Sequence, residues 1–215
     1  ILTINQMDAQ KERVVNNLIK DMVSLNMPAF EQQLDNYIAQ KGVEKTIVEI
    51  IFSFLERVGI LWMTSKINPA QEHLATNILR QKIIYGIEKL TPVTKYTKRV
   101  VLFLPEAEYH ELGILYVHFL LKQNGIYVDY LGTNIPMGDL EFLVSRTKPD
   151  YLFCHITSPA KKFKLDKFLD GLSKINKSSP VVLSGQIVRD YKGQVASNIS
   201  IKRSLGETIQ FLNTI

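Results

Sequence analysis

The sequence predicts an α/β protein: a four-helix bundle at the N-terminus, then a doubly wound parallel sheet. Three observations lead there. Up to about Leu90 the apolar residues recur at intervals of three and four; after Thr91-Pro92 short β-rich runs alternate with helical patterns; and the polar stretch TPVTKYTK, residues 91–98, separates the two regimes as a linker. The expected domains are therefore 1–91 and 92–215.

The first region divides into four amphipathic stretches. Val14, Leu18, Met22 and Leu25 form the first apolar stripe, and Phe30, Leu34, Tyr37 and Ile38 the second. Ile47, Ile50, Ile51, Phe54, Leu55, Val58, Leu61 and Trp62 form the third, and Leu74, Ile78, Leu79, Ile83 and Ile87 the fourth. Punctuation agrees with periodicity. Asn26-Met27-Pro28 separates the first pair and Lys41-Gly42 ends the second helix. Asn68-Pro69-Ala70-Gln71 reads as an N-cap, a proline at the first helical position and a glutamine at the third. Short loops between such helices favour antiparallel neighbours.

In the second region the expected strands are Val100 to Leu104, Ile126 to Leu131, Asp150 to Ile156, Pro180 to Ser184 and Asn198 to Ile201. Helical patterns at about Glu111 to Gln123, Met137 to Arg146, Lys161 to Ile175 and Ser204 to Leu212 alternate with them. Strand and helix repeated in this order imply a Rossmann-like parallel sheet covered on both faces.

Composition is that of an ordinary folded protein, with 46% apolar and 22% charged residues. The 26 basic residues exceed the 21 acidic ones by a net charge of +5, but clusters such as Lys161-Lys162 and Lys202-Arg203 are scattered, as on a solvated surface. No apolar run is long enough for a membrane span, so no membrane partner is expected. The single cysteine, Cys154, excludes an intrachain disulfide framework and reads as a small buried residue. Ile1 to Gln6 lack the features of a signal peptide, and the chain begins at Ile rather than Met. A cytoplasmic protein with further sequence upstream is the expectation.

Ligands of open parallel sheets bind beyond the carboxyl ends of the strands. Three segments converge there: Glu108-Tyr109-His110-Glu111-Leu112-Gly113 after the first strand, Leu131-Gly132-Thr133-Asn134-Ile135-Pro136 after the second, and Leu183-Ser184-Gly185-Gln186 after the fourth. His155 on the third strand points either to this pocket or to the core, and His118 on an apolar helix is structural. Neither a Gly-x-Gly-x-x-Gly, a phosphate-cradling loop, a His-Glu-x-x-His nor a nucleophile elbow is present, and nothing demands hydrolysis or hydride transfer. The chain is expected not to be an enzyme.

Glu108-x-His110-x-x-Gly113 resembles the Asp-x-His-x-x-Gly hallmark of cobalamin-binding domains, with Glu for Asp. The resemblance implies that His110 is the lower cobalt ligand, that Glu108 orients it, and that Gly113 leaves room for the macrocycle and its detached nucleotide tail. Neutral imidazole is a good cobalt ligand, and a carboxylate on its other nitrogen fixes the tautomer. Trp62, nine intervening residues and Glu72-His73 resemble a pattern of the MerR-type, adenosylcobalamin-dependent light-sensing repressors of the CarH and LitR kind. By that resemblance the bundle caps the upper face: Trp62 packs on the adenosyl group or cobalt face, Glu72 contacts the ribose and His73 lines the cavity. Gly132, Thr157, Ser184, Gly185 and Gln186 complete the expected cofactor contacts. Three departures stand out. Met63 occupies the place of a cobalt-capping histidine, Phe153-Cys154-His155-Ile156-Thr157 that of a third-strand Ser-x-Leu, and Ser184-Gly185 that of a Gly-Gly.

The resemblance implies the sensor and oligomerisation region of a MerR-like transcriptional regulator. Its cofactor would be cobalamin, adenosylcobalamin for preference; its partners, DNA through a winged-helix domain upstream of Ile1 and further copies in a dimer or tetramer. Two alternatives stay open: a corrinoid carrier of a methyltransferase system, and a degenerate module that dimerises without cofactor.

Overall fold

In the computed structural model the described residues are 2–91, 96, 98–159, 162–175 and 179–215. They form two compact units, Ile1–Gly86 and Ile87–Ile215. Most of the expected linker, and Lys161 at the expected start of a helix, lie outside the described residues.

The first unit is helical: α1 (Leu2–Val23), α2 (Met27–Lys41), α3 (Val43–Thr46), a π-helical turn (Ile47–Ile51), α4 (Phe52–Met63) and α5 (Pro69–Lys89), whose last residues enter the second unit. The segments from Val43 to Met63 run on without a break and form the third helix expected from the sequence. The π turn falls on Ile47-Val48-Glu49-Ile50-Ile51, four of whose five residues are β-branched and crowd a tight turn; Phe52 N–H donates to Ile47 O, five residues back. Gly42 ends α2 with φ +82°. At the start of α5, Ala70 N–H donates to Asn68 Oδ1 (2.9 Å) and Asn68 N–H to Gln71 Oε1 (2.7 Å), the reciprocal cap read from the sequence.

Leu18, Met22, Phe30, Leu34, Ile47, Ile50, Ile51, Phe54, Leu79 and Ile83 fill the interior of this unit. Val15 is buried beside Leu18, whereas Leu25, expected on the apolar face, lies past the end of α1 at φ +58° and is exposed. Phe30 and Phe54 meet edge to face, 5.4 Å between centroids. At the rim Lys82 Nζ lies 2.7 Å from both Glu31 and Asp35, joining α5 to α2. Such surface pairs contribute little, so packing dominates. Phe54→Ala, which removes a fully buried ring and its partner contact, is expected to destabilise this unit by about 3–5 kcal/mol, read as an earlier helical transition in denaturant-monitored circular dichroism.

The second unit is a five-stranded, all-parallel sheet in the order β2-β1-β3-β4-β5. The strands are β1 (Arg99–Pro105), β2 (Tyr127–Ile135), β3 (Tyr151–His155), β4 (Val181–Ser184) and β5 (Ile199–Ile201). Between and after them run α6 (Leu112–Gln123), α7 (Met137–Thr147), α8 (Leu165–Ile175), α9 (Gln186–Arg189) and α10 (Leu205–Leu212). The doubly wound sheet expected from the sequence is thus present. Val101, Phe103, Leu152, Cys154, Val181 and Leu183 pack with Leu140, Val144, Leu169 and Leu172 in one of its cores.

Two expectations are corrected. β2 does not stop at Leu131 but continues through the supposed loop to Ile135, with register shifts against β1 between Leu102 and Phe103 and between Phe103 and Pro105. Each shift inserts an extra β2 residue, and Gly132 (φ +87°) and Asn134 (φ +58°) supply the left-handed conformations required. The short helix α9 directly after Gly185 was not expected.

No helix among the described residues is long and apolar enough to cross a membrane.

Candidate functional site

The strand order reverses between β1 and β3, so the loops that leave their carboxyl ends diverge and open a crevice. Glu108 lies at its centre and is fully buried. Oε1 accepts from Tyr109 N–H (2.9 Å), His110 N–H (3.0 Å) and the His110 ring at Nδ1 (2.6 Å). Oε2 accepts from Thr157 N–H and Ser158 N–H, both at 2.8 Å. One carboxylate therefore ties the loop after β1 to the loop after β3. The extra methylene of Glu over Asp serves that span: one oxygen stays on His110 while the other crosses the crevice.

Burial pushes the Glu108 carboxyl up, but donation from the His110 ring and from the His110 and Ser158 amides outweighs it and holds the pKa at about 2. An ionised Glu108 can only accept, so Nδ1 of His110 donates to it and Nε2 is the ring nitrogen left to meet a metal. The His110 side chain is 54% exposed. An exposed imidazole of fixed tautomer with a buried carboxylate behind it is a ligand suited to a soft or borderline metal. Among the described residues no cluster of three or more His, Cys, Asp or Glu is placed to hold a metal ion.

Asn134 secures the same loop from β2: its Oδ1 accepts from Ala107 N–H (2.9 Å) and its N–H donates to Glu108 O (3.2 Å). Tyr130 on β2 donates its hydroxyl to Glu111 (2.7 Å) and stacks on His118, 5.5 Å between centroids. Burial, with Lys122 nearby, lowers the His118 pKa to about 4, as expected of a structural histidine.

The other expected contacts have the following neighbours within the protein. Gly113 does not open onto free space, because a Cβ there would lie 2.6 Å from Nε2 of His155. His155 and Ser184 are register partners at the ends of β3 and β4, and His155 Nδ1 lies 2.8 Å from Ser184 Oγ. His155 thus fills the space between Gly113 and Ser184. The residue keeps some surface open to solvent, but protein surrounds enough of the ring to lower its pKa to about 4. Ser184 is buried, 3% exposed, with its hydroxyl against the His155 ring. Thr157 contributes its backbone N–H to Glu108. Gly132 shapes the bulge in β2, and an added Cβ would meet only Tyr130, at 3.8 Å. Gly185 adopts φ +103° against the Ile156 backbone, and Gln186 is exposed on the first turn of α9.

In the helical unit Trp62 and Glu72 come together: the indole N–H donates to Glu72 Oε2 at 3.2 Å. Trp62 is 40% exposed at the end of α4, His73 is exposed on α5, and Met63 is 80% exposed.

A cobalamin fits the lower-ligand side of this site by donor chemistry, since Glu108 and His110 offer an oriented imidazole. The recess behind Gly113 is occupied by a side chain of the protein itself. Sequence reasoning missed Ser158, which acts through its backbone amide, and placed Asn134 in a converging segment without identifying its side chain as the acceptor for Ala107 N–H.

Residues 14–85 match the family model of the B12 binding domain. The chain is similar to two HTH-type transcriptional repressors of Myxococcus xanthus. It is 28% identical to CarH over 155 residues, covering 72% of this chain and 50% of the relative. With CarA the identity is 22% over 182 residues, covering 85% and 61%. The chain thus spans about half to three-fifths of the length of these relatives. Among solved structures, the monomethylamine corrinoid protein of Methanosarcina barkeri shares the fold with TM-score 0.71 at 15% identity, over 95% of this chain and 99% of that one.

Proposed function

We propose, from a segment of B12 binding domain type joined to a sheet whose crevice presents the Glu108–His110 pair, that this protein is the cobalamin-binding sensor region of a MerR-like transcriptional regulator. The observation that carries the reading is the Glu108–His110 contact of 2.6 Å at the switch point of the sheet. His110 supplies the lower cobalt ligand through Nε2 and Glu108 holds its tautomer. Trp62, Glu72 and His73 of the helical region 1–91 serve the upper face, and region 92–215 carries the lower one. Their residue types and the Trp62–Glu72 hydrogen bond support this assignment. The cofactor, as adenosylcobalamin, supplies a photolabile carbon–cobalt bond. Its binding shifts the chain between arrangements only by its differential affinity for them, and a DNA-binding domain upstream of Ile1, in a dimer or tetramer, reads out that shift.

In the dark, adenosylcobalamin is expected to take up a base-off, histidine-on absorption spectrum on binding. His110→Ala is expected to abolish that spectrum and to weaken affinity by about 10–100-fold. A spectrum unchanged by saturating protein, or one that His110→Ala leaves intact, overturns the reading. A second reading, a corrinoid carrier for methyl transfer, is favoured by Met63, which puts an exposed thioether and no capping imidazole at the end of α4. Methyl transfer from bound methylcobalamin to a thiol acceptor in the presence of a partner methyltransferase would select it.

A further inference from the structure

Resting on that reading, we infer that His155 is a specificity-determining residue: it closes the recess behind Gly113, so that the protein takes corrinoids of the cobinamide class, which lack the nucleotide loop, in preference to complete cobalamin. A protein imidazole that ligates the cobalt of cobalamin displaces the cofactor's own benzimidazole. That nucleotide stays tethered to the ring, on the same face as His110. Three residues beyond His110, in the first turn of α6, stands Gly113, whose missing side chain leaves space between helix and sheet. The imidazole of His155 already lies in that space, with Nε2 2.6 Å from where a Gly113 Cβ would be.

The ring is held there through Nδ1. The parallel register sets His155 opposite Ser184, and the hydroxyl of that serine meets Nδ1 at 2.8 Å. Beside it the backbone of Gly185 presses on Ile156, so the neighbouring turn offers no alternative space. A benzimidazole is wider than an imidazole, and its entry requires His155 to abandon the Ser184 hydrogen bond and leave the recess. A corrinoid without the nucleotide makes no such demand and still offers His110 its cobalt.

The experiment compares affinities of the whole chain for adenosylcobinamide and adenosylcobalamin by absorption titration in the dark, for wild type, His155→Ser and Ser184→Ala. Wild type is expected to prefer the cobinamide by about tenfold or more. His155→Ser is expected to raise affinity for the cobalamin by at least about tenfold while changing that for the cobinamide by less than about threefold. Ser184→Ala, which releases the ring without deleting it, is expected to move the cobalamin in the same direction by a smaller factor. A wild type that prefers cobalamin, or a His155→Ser variant that changes both corrinoids equally, overturns the inference and leaves the parent reading standing. If neither corrinoid changes its absorption spectrum with any of the three proteins, the parent reading falls, and the inference with it.

Discussion

Glu108→Ala is expected to cost about 4 kcal/mol or more of stability in the sheet unit, read as a lower denaturant midpoint. The carboxylate is fully buried and accepts from four backbone amides, those of Tyr109, His110, Thr157 and Ser158, as well as from the His110 ring. Alanine leaves these donors without their acceptor, and a buried unsatisfied donor costs about 1–3 kcal/mol each. Glu108→Gln is the milder test. It keeps an acceptor oxygen but turns an amino group toward amides that themselves donate, so the loss is expected to be smaller but clear. Either change also removes the anchor of the His110 ring, and so reports on ligand binding as well.

The same group sets a pH dependence. Its pKa falls from the ordinary 4.5 to about 2 on folding. Its contribution is therefore fully present above about pH 5 and is lost as pH falls through about 2. By linkage this amounts to about 3 kcal/mol. Wild type is expected to lose that stability between pH 5 and 2, and Glu108→Gln to show a flatter acid limb over the same range.

Gly185→Ala is the second large effect. Gly185 adopts φ +103° with ψ 171°, a region essentially reserved for glycine, and a Cβ there would lie 2.3 Å from the carbonyl oxygen of Ile156. The obstacle is backbone, not the yielding end of a side chain, so β4 and the loop after β3 must separate. The expected cost is about 3 kcal/mol or more, seen as a lowered denaturant midpoint of the sheet unit. Because Ile187 N–H donates to the same carbonyl at 3.2 Å, α9 is expected to loosen with it, detectable as faster amide exchange at Ile187. A variant as stable as wild type would mean that the turn after β4 tolerates another conformation.

Much of the architecture was legible because it rests on local rules. The Asn68-Pro69-Ala70-Gln71 cap, the Gly42 stop and the alternation of apolar runs with helical stripes each act within a few residues. The end of β2 was misread for the opposite reason. Gly132 and Asn134 signal a departure from regular backbone, but only the facing strand decides whether that departure is a loop or a bulge. The His110 and Glu108 pairing was readable from spacing two residues apart, whereas the reach of Glu108 to Thr157 and Ser158 spans some fifty positions and left no trace in the motif. Gly113 and Ser184 were recognised as special, yet their partner is His155, whose orientation depends on the β3–β4 register. Sequence marks where a side chain is missing; it does not say what moves into the gap.

The two irregularities of β2 have a consequence for solubility. β2 is an outermost strand of the sheet, and a regular outer strand invites pairing with a strand from another molecule. Beyond Tyr130 its amides and carbonyls fall out of step with a straight ladder. A foreign strand laid along that margin would find a template only a few residues long, so the kinks that bring Asn134 to the crevice also guard the molecule against fibrous self-assembly.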